Sequence, residues 1–264
     1  MQQEKISMGR TTQKRQTGMT LIELMIAMML GLMVILAALG TLLMTRSVSS
    51  TTDELASMQQ DASFAMATLG RLIRQAGSLE PSGGTGSSGY STVGFNDRVS
   101  TVVSGTNGGS GPDSLSIGTQ SGTSSGANFD CLGNLVSTPE FISTFDVNNN
   151  ALRCSSSGTG GAQPIIGHSN DIRVMDFQVR YRVVTRSSAG APSFSMVDTP
   201  PPTPTSESDP TVTAIHVCLE LEGRERIETD GMTYTNCQGD ASATMDNRIK
   251  RVYRNVFNLR VLEL

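Results

Sequence analysis

The 26 positions from Met19 to Met44 are apolar or small except for Thr20, Glu23 and Thr41. Wound as a helix at roughly 1.5 Å per residue, that run spans about 39 Å. A bilayer core needs only about 20 such residues. The pattern predicts a membrane-length helix over residues 19–44. Beyond Met44 the composition turns polar, yet Leu55, Met58, Ala62, Ala65, Met66, Leu69, Leu72, Ile73 and Ala76 keep a spacing of three and four. That is one apolar stripe on an amphipathic helix, expected to dock on a folded domain. Gly77 is a natural stop. No proline lies between Met19 and Ala76, so one helix of roughly 87 Å is possible, with Gly31 and Gly40 as soft points.

The periodicity then changes. Residues 81–128 are dominated by Gly, Ser and Thr and read as long loop, with one short strand at Asp113-Ser-Leu-Ser-Ile-Gly118. Within this stretch the run Gly84 to Gly89 matches a dinucleotide fingerprint in form. It follows a helix rather than a strand, which removes its meaning. Further on, Ile172, Val174, Phe177, Val179, Tyr181 and Val183 form an apolar series with one slip between 174 and 177, as a β-bulge would give. Ile215, Val217, Leu219 and Leu221 alternate with His216, Cys218, Glu220 and Glu222, and Phe257, Leu259 and Val261 alternate with Asn258 and Arg260. Such alternation predicts antiparallel strands with one wet face. The segment Thr199 to Pro210, rich in proline, reads as an exposed connector.

Charge changes the picture at the N-terminus. Lys5, Arg10, Lys14 and Arg15 face only Glu4 ahead of the apolar run, a net of 4 − 1 = +3. Basic flanks stay cytoplasmic, so everything after Met44 is expected on the far side of the membrane. Glu23 is costly, because an ionised side chain well inside hydrocarbon loses roughly 2.5 to 3.5 kcal/mol even on the lenient insertion scale. A secretory signal peptide does not fit either. Its apolar core is about 7 to 15 residues and its small-residue cleavage site follows that core, whereas Gly18 precedes this one.

Gly18, then Met19-Thr20-Leu21-Ile22-Glu23, then the apolar stem, resembles the class III signal of type IV prepilins and pseudopilins. The family most often has Phe where this chain has Met19. The resemblance implies that a prepilin peptidase cuts between Gly18 and Met19 and methylates the new N-terminus. Glu23, then fifth in the mature chain, would pair with the amine of a neighbouring subunit's first residue and set the register between subunits. Removing the leader takes the formal charge from −4 to −4 − 3 = −7. An acidic mature protein is a poor non-specific binder of nucleic acid, and none is expected as a partner.

The four cysteines, Cys131, Cys154, Cys218 and Cys237, all lie beyond the apolar run. An even number in an exported domain implies two disulfides with three possible connectivities. Pairing in sequence order, Cys131 with Cys154 and Cys218 with Cys237, is favoured because each bridge staples a local loop. There is no C-x-x-C and only two histidines, so no metal and no cofactor is expected. Asp146-Val-Asn148-Asn-Asn150 resembles the opening of a calcium loop, but Ala151 replaces the required glycine and Ser157 the bidentate Glu, leaving an Asn-rich turn. His168 and His216 have no nucleophile-and-acid arrangement around them, and no catalytic residue is expected.

The C-terminal run Arg248-Ile-Lys-Arg-Val-Tyr-Arg-Asn-Val-Phe-Asn-Leu-Arg260, the Asp113-Ser-Leu strand, the Phe129-Asp-Cys-Leu-Gly133 turn and Leu152-Arg-Cys154 resemble the PilW family of minor pilins. That resemblance implies an α+β pilin-like fold: a long N-terminal helix, part membrane stem and part amphipathic, packed on an antiparallel β-sheet head with long loops. It divides the chain into a leader (1–18), a transmembrane and filament-core helix (19–44), an amphipathic continuation (45–76) and a periplasmic or extracellular head (77–264). It also implies a subunit that helps initiate a type IV pilus or cap its tip. The partners would be other minor pilins, the major pilin, the prepilin peptidase, the inner-membrane assembly platform and, before assembly, lipid. The alternatives are a J-type minor pseudopilin of a type II secretion system, a major or adhesive pilin, and a membrane-anchored periplasmic binding or enzymatic domain.

Overall fold

The computed structural model describes residues 18–79, 81–85, 91–95, 101–120, 129–136, 138, 140–158, 160–167, 172–186, 191–206, 208–227 and 229–259. The leader before Gly18, His168, most of the Gly84–Gly89 pattern, and Arg260 and Val261 lie outside these residues. The chain divides into two compact units, residues 1–50 and residues 51–264, and the division falls inside helix α1 (Leu21–Gln75).

In the second unit the amphipathic stripe is the centre of the core. Met58, Ala62, Ala65, Met66, Leu69, Leu72, Ile73 and Ala76 are all buried, and Leu55 packs against them. Their three- and four-residue spacing puts one face of α1 inward, and the polar residues between them face out. Gly77 ends the helix in the left-handed region at φ 68°, and its N–H donates to Gly118 O at 2.9 Å. A glycine reaches that conformation without a Cβ penalty.

After the helix come β1 (Pro81–Thr85) and β2 (Ser91–Phe95), an antiparallel hairpin. Next are β3 (Val103–Thr106), β4 (Ser114–Gln120), β5 (Glu140–Asn148), β6 (Ala151–Ser156) and β7 (Gly160–Ile166), a five-stranded antiparallel meander in chain order. The Gly/Ser/Thr region is therefore not one long loop around a single strand. Small residues suppress the apolar signal of β1 to β3, and backbone pairing supplies what side chains do not.

A second sheet contains β8 (Ile172–Thr185), β9 (Ser193–Val197) and β10 (Thr211–Arg226). A two-residue pair, β11 (Thr233–Tyr234) and β12 (Ala243–Thr244), precedes the last strand, β13 (Arg248–Asn258). Its antiparallel order is β13-β10-β8-β9. The slip in the apolar series of β8 is a bulge. Glu220 pairs with Asp176 while Leu221 pairs with Val174, leaving Met175 unpaired between them. Between β9 and β10 the described residues of the Pro-rich connector form no strand. Asp209 holds a turn in it by accepting from Thr205 N at 2.8 Å and Ser206 N at 2.9 Å, which lowers its carboxyl to about 2.

The two sheets and α1 share one hydrophobic cluster. Asp113 ties the sheets together where β4 begins. Its N–H donates to Phe177 O at 2.8 Å, and its carboxylate accepts from Val179 N at 2.7 Å and Gly108 N at 2.8 Å. Burial pushes this carboxyl above the ordinary range despite those two bonds, which pull the other way.

The predicted wet face of β10 is largely covered: Cys218, Glu220 and Glu222 are buried. The loop ahead of β13 lies over them, held by the Cys218–Cys237 disulfide. Tyr234 donates to Glu220 Oε1 at 2.5 Å, and Cys237 N donates to Glu220 Oε2 at 3.3 Å. Glu222 sits 3.6 Å from Arg173, 3.8 Å from Arg248 and 4.0 Å from Lys250. Alternation alone cannot distinguish solvent from a polar lid. The other disulfide joins Cys131 to Cys154, tethering the 130–134 turn to β6.

Replacing Cys218 and Cys237 together by Ser should cost about 3 kcal/mol, the loop-closure value for a bridge of this span, read as a fall in urea midpoint. The Asp113→Asn variant keeps only one acceptor oxygen for two amides and should lose about 1 to 3 kcal/mol. The raised folded pKa gives the native state the tighter grip on the proton. Asp113 therefore contributes most below the ordinary carboxylate pKa and loses that contribution as pH rises through the folded value. Urea titrations should show the advantage of wild type over Asp113→Asn narrowing through that window.

Candidate processing and assembly site

The first unit is built on α1 up to Ser50. Thr20 precedes its first helical residue, and Glu23 N and Leu24 N donate to the Thr20 backbone carbonyl at 3.1 and 3.2 Å. Thr20 and Glu23 thus stand at the N-cap and the third helical position, the spacing of a capping box. Sequence reading centred on Glu23 does not single out Thr20, and the signal that finds it is a threonine three residues ahead of a glutamate. A carboxylate in the first turn also faces the positive end of the helix dipole.

From Met19 to Met44 the large apolar side chains are exposed all round the helix, from 46% at Leu24 to 77% at Leu21 and Met29. A helix apolar on every face is stable only when lipid or other helices cover it. The helix is long and apolar enough to cross a membrane, with a mean hydropathy of 2.5 over its most apolar window. Thr41 Oγ1 donates to Ala38 O at 2.9 Å and Thr45 Oγ1 to Thr41 O at 2.8 Å. Both hydroxyls are therefore satisfied within the helix, as hydrocarbon requires. Glu23 is the one ionisable side chain between Gly18 and Arg46. It is exposed, and no ion pair reaches it among the described residues.

Gly18, Met19 and Glu23 lie within six residues at the head of α1. A Cβ built on Gly18 meets nothing within 4 Å. Among the described residues, no packing contact asks for glycine there.

A family model of the prokaryotic N-terminal methylation motif matches residues 13–39. The chain carries that motif. It covers the capped start of α1, Gly18, Met19, Glu23 and most of the apolar run. No curated protein matches the sequence significantly. Among solved structures, a type IV-like pilin from Thermus thermophilus aligns with a TM-score of 0.43 and 16% identity, over 76% of this chain and 96% of that one. One chain of the GspK-GspI-GspJ complex of the type 2 secretion system of enterotoxigenic Escherichia coli aligns with a TM-score of 0.30 and 11% identity, over 76% of this chain and 96% of that chain.

The remaining sequence candidates lie elsewhere, apart from the methylation motif. His216 is half-buried on β10, opposite Arg180 and Val256 in the flanking strands. Asp146 pairs with Arg153 across the β5–β6 hairpin, whose turn is formed by Asn149 and Asn150 at φ 51° and 59°. Two left-handed residues in a two-residue turn are what a type I′ hairpin needs, so the Asn-rich run serves backbone geometry. Four polar residues of the head are structural in ways their sequence positions do not announce: Asp113, Glu220, Glu222 and, on α1, Glu54, which accepts from Glu225 N at 2.7 Å.

Because a Cβ at Gly18 meets none of the described residues, Gly18→Ala should leave the folded chain unchanged. The expected shift in unfolding free energy is within about 0.5 kcal/mol, checked by thermal melting of the purified full chain in detergent.

Proposed function

We propose that this chain is a prepilin, cut between Gly18 and Met19 and methylated on Met19, that becomes a minor pilin of a type IV pilus. The observation that carries the reading is the methylation motif over residues 13–39, placed on a helix that is apolar all round and holds one carboxylate, Glu23. Before assembly the apolar run of α1 anchors the chain in the inner membrane, with the basic leader on the cytoplasmic side and the β-rich head in the periplasm. In the filament the same run packs against the helices of other subunits. Glu23 then meets the N-terminal amine of a neighbour, which offsets the burial cost of both charges and selects one axial register.

Within that class the C-terminal basic strand and the Asp113, Phe129–Gly133 and Leu152–Cys154 segments favour a PilW-like subunit. Its role is to prime assembly or cap the tip with other minor pilins, and its route passes through the prepilin peptidase and the assembly platform. The chain has no part in the proposal as an enzyme. Gly18 is read by the peptidase, which explains a glycine that the fold does not need.

The test is mass spectrometry of filaments sheared from the cell surface. A peptide beginning at N-methylated Met19, at trace abundance beside a major pilin, is the expected result. Processed protein found only in the envelope, with loss of secretion rather than of pili on deletion, would assign the chain to a type II secretion pseudopilus. An intact Met1 form would overturn the reading. Glu23→Ala should leave membrane insertion intact and lower incorporation into filaments, measured by immunoblot of sheared and membrane fractions.

A further inference from the structure

The four-stranded sheet stops at β13, which has β10 on one side and no strand on the other among the described residues. Two hydrogen bonds tell which main-chain groups face that open side. Leu259 N donates inward to Thr213 O at 3.0 Å, next to β10, while Val256 N donates to the side chain of Asn255 at 2.8 Å instead of to β10. In an antiparallel strand the N–H and C=O of one residue point the same way and alternate along the chain. Val252, Arg254 and Val256 therefore turn their main-chain groups to the free edge.

Beside this edge runs an open groove of about 560 Å³ between α1 and β13, lined among others by Ala62, Met66 and Arg74 from the helix and Tyr253, Asn255 and Phe257 from the strand. The helix covers only part of the core face of β13: Phe257 is buried and Tyr253 half-buried, but Arg251 and Asn255 on the same face are exposed. The charge here runs against that of the whole chain. β13 contains Arg248, Lys250, Arg251 and Arg254 with no acid, and no acid lines the groove. Arg248 and Lys250 are used up on Glu222 and Asp246. Among the described residues, Arg254 is held only by the neutral carbonyls of Thr235 and Asn236. Arg74, Arg251 and Arg254 thus leave positive charge around an apolar floor and a row of unpaired main-chain groups.

We propose that the β13 edge docks an extended, acidic segment of a partner protein, which adds to the sheet as a further strand. Alternate apolar side chains of that segment enter the groove over Ala62, Met66 and Phe257, and its carboxylates, turned by the alternation to the opposite face, meet Arg254. Main-chain hydrogen bonds supply affinity and the alternate side chains supply selection. Asn255 Oδ1 holds the Val256 amide until the incoming carbonyl replaces it, which keeps the edge from pairing indiscriminately. A second copy of this chain is a poor occupant, since pairing β13 with itself sets like charges against one another. The proposal goes beyond the prepilin reading and does not depend on processing at Met19.

The test uses the full chain in detergent and two fluorescent peptides, one alternating valine with glutamate and one alternating valine with lysine, with binding read by anisotropy. The glutamate peptide should bind saturably and the lysine peptide should not. Val256→Pro removes an outward amide at an edge position, where proline is tolerated, and should weaken binding about tenfold, as loss of a main-chain hydrogen bond does. The charge reversal Arg254→Glu sits at an exposed position on the face that receives the glutamates and should also abolish preference for the acidic peptide. Slowed hydrogen exchange at residues 252, 254 and 256 in the presence of the glutamate peptide gives the same answer without any substitution. No saturable binding of that peptide would overturn the proposal and leave the arginines as guards of an edge that stays unpaired. Binding that responds to charge reversal but leaves those three amides unprotected would overturn strand addition. Dimerisation of the peptide-free chain through β13 would overturn it in favour of a second copy.

Discussion

One element, α1, is asked to satisfy two environments. Up to Met44 its apolar side chains point in every direction, so no single domain could bury them and only lipid or other helices can. From Leu55 onward the apolar residues fall on one stripe, which a sheet can bury and does. The β-rich unit depends on that stripe. Met58 to Ala76 fill the space against both sheets, and without them the inner faces of β4, β8 and β10 would lose their common partner. The hydrophobic effect thus acts twice on one helix, with different consequences. In the second half it folds a domain, and in the first half it leaves a surface that must be covered from outside the chain.

Around that core the head is held by polar devices as much as by apolar area. Asp113 joins the two sheets through main-chain amides, Glu220 receives Tyr234 from a covering loop, and Glu222 gathers three cationic side chains. Each is a buried carboxylate, costly unless it is paired, and each is paired. The Cys218–Cys237 bridge lies beside the Glu220 contact, so the covalent staple and the buried hydrogen bond hold the same loop. Glycine also lets elements of the core approach one another. Gly70, for example, lets the Phe257 ring approach α1 so closely that a Cβ would stand 2.5 Å from its Cε1.

The proposed roles divide along the same line. The N-terminal end of α1 carries the methylation motif and one carboxylate, Glu23, in an apolar stretch that other helices or lipid must cover. The head carries an exposed sheet edge with a charge opposite to the chain's own. A prepilin inserted by its helix and selected by its head uses both, and the two can be broken separately: Glu23 should govern entry into the filament, and the β13 edge should govern which partner the head accepts.

Much of this was legible in the sequence because the signals are local. The length of the apolar run, the spacing of its continuation from Leu55 to Ala76, the stop at Gly77 and the slip that became the Met175 bulge each follow from a period of 3.6 or 2 read along the chain. The methylation motif over residues 13–39 is legible for the same reason, since it is contiguous sequence that needs no fold to bring it together. Tertiary structure decided what depends on distant partners. Glycine-rich β1 to β3 formed strands because neighbours paired with their backbones. The polar face of β10 was buried because a loop from residues 229–247 closed over it. The groove beside β13 exists because α1 covers only part of that strand. A sequence states which faces of an element are apolar, but only packing determines how much of each face a neighbour reaches.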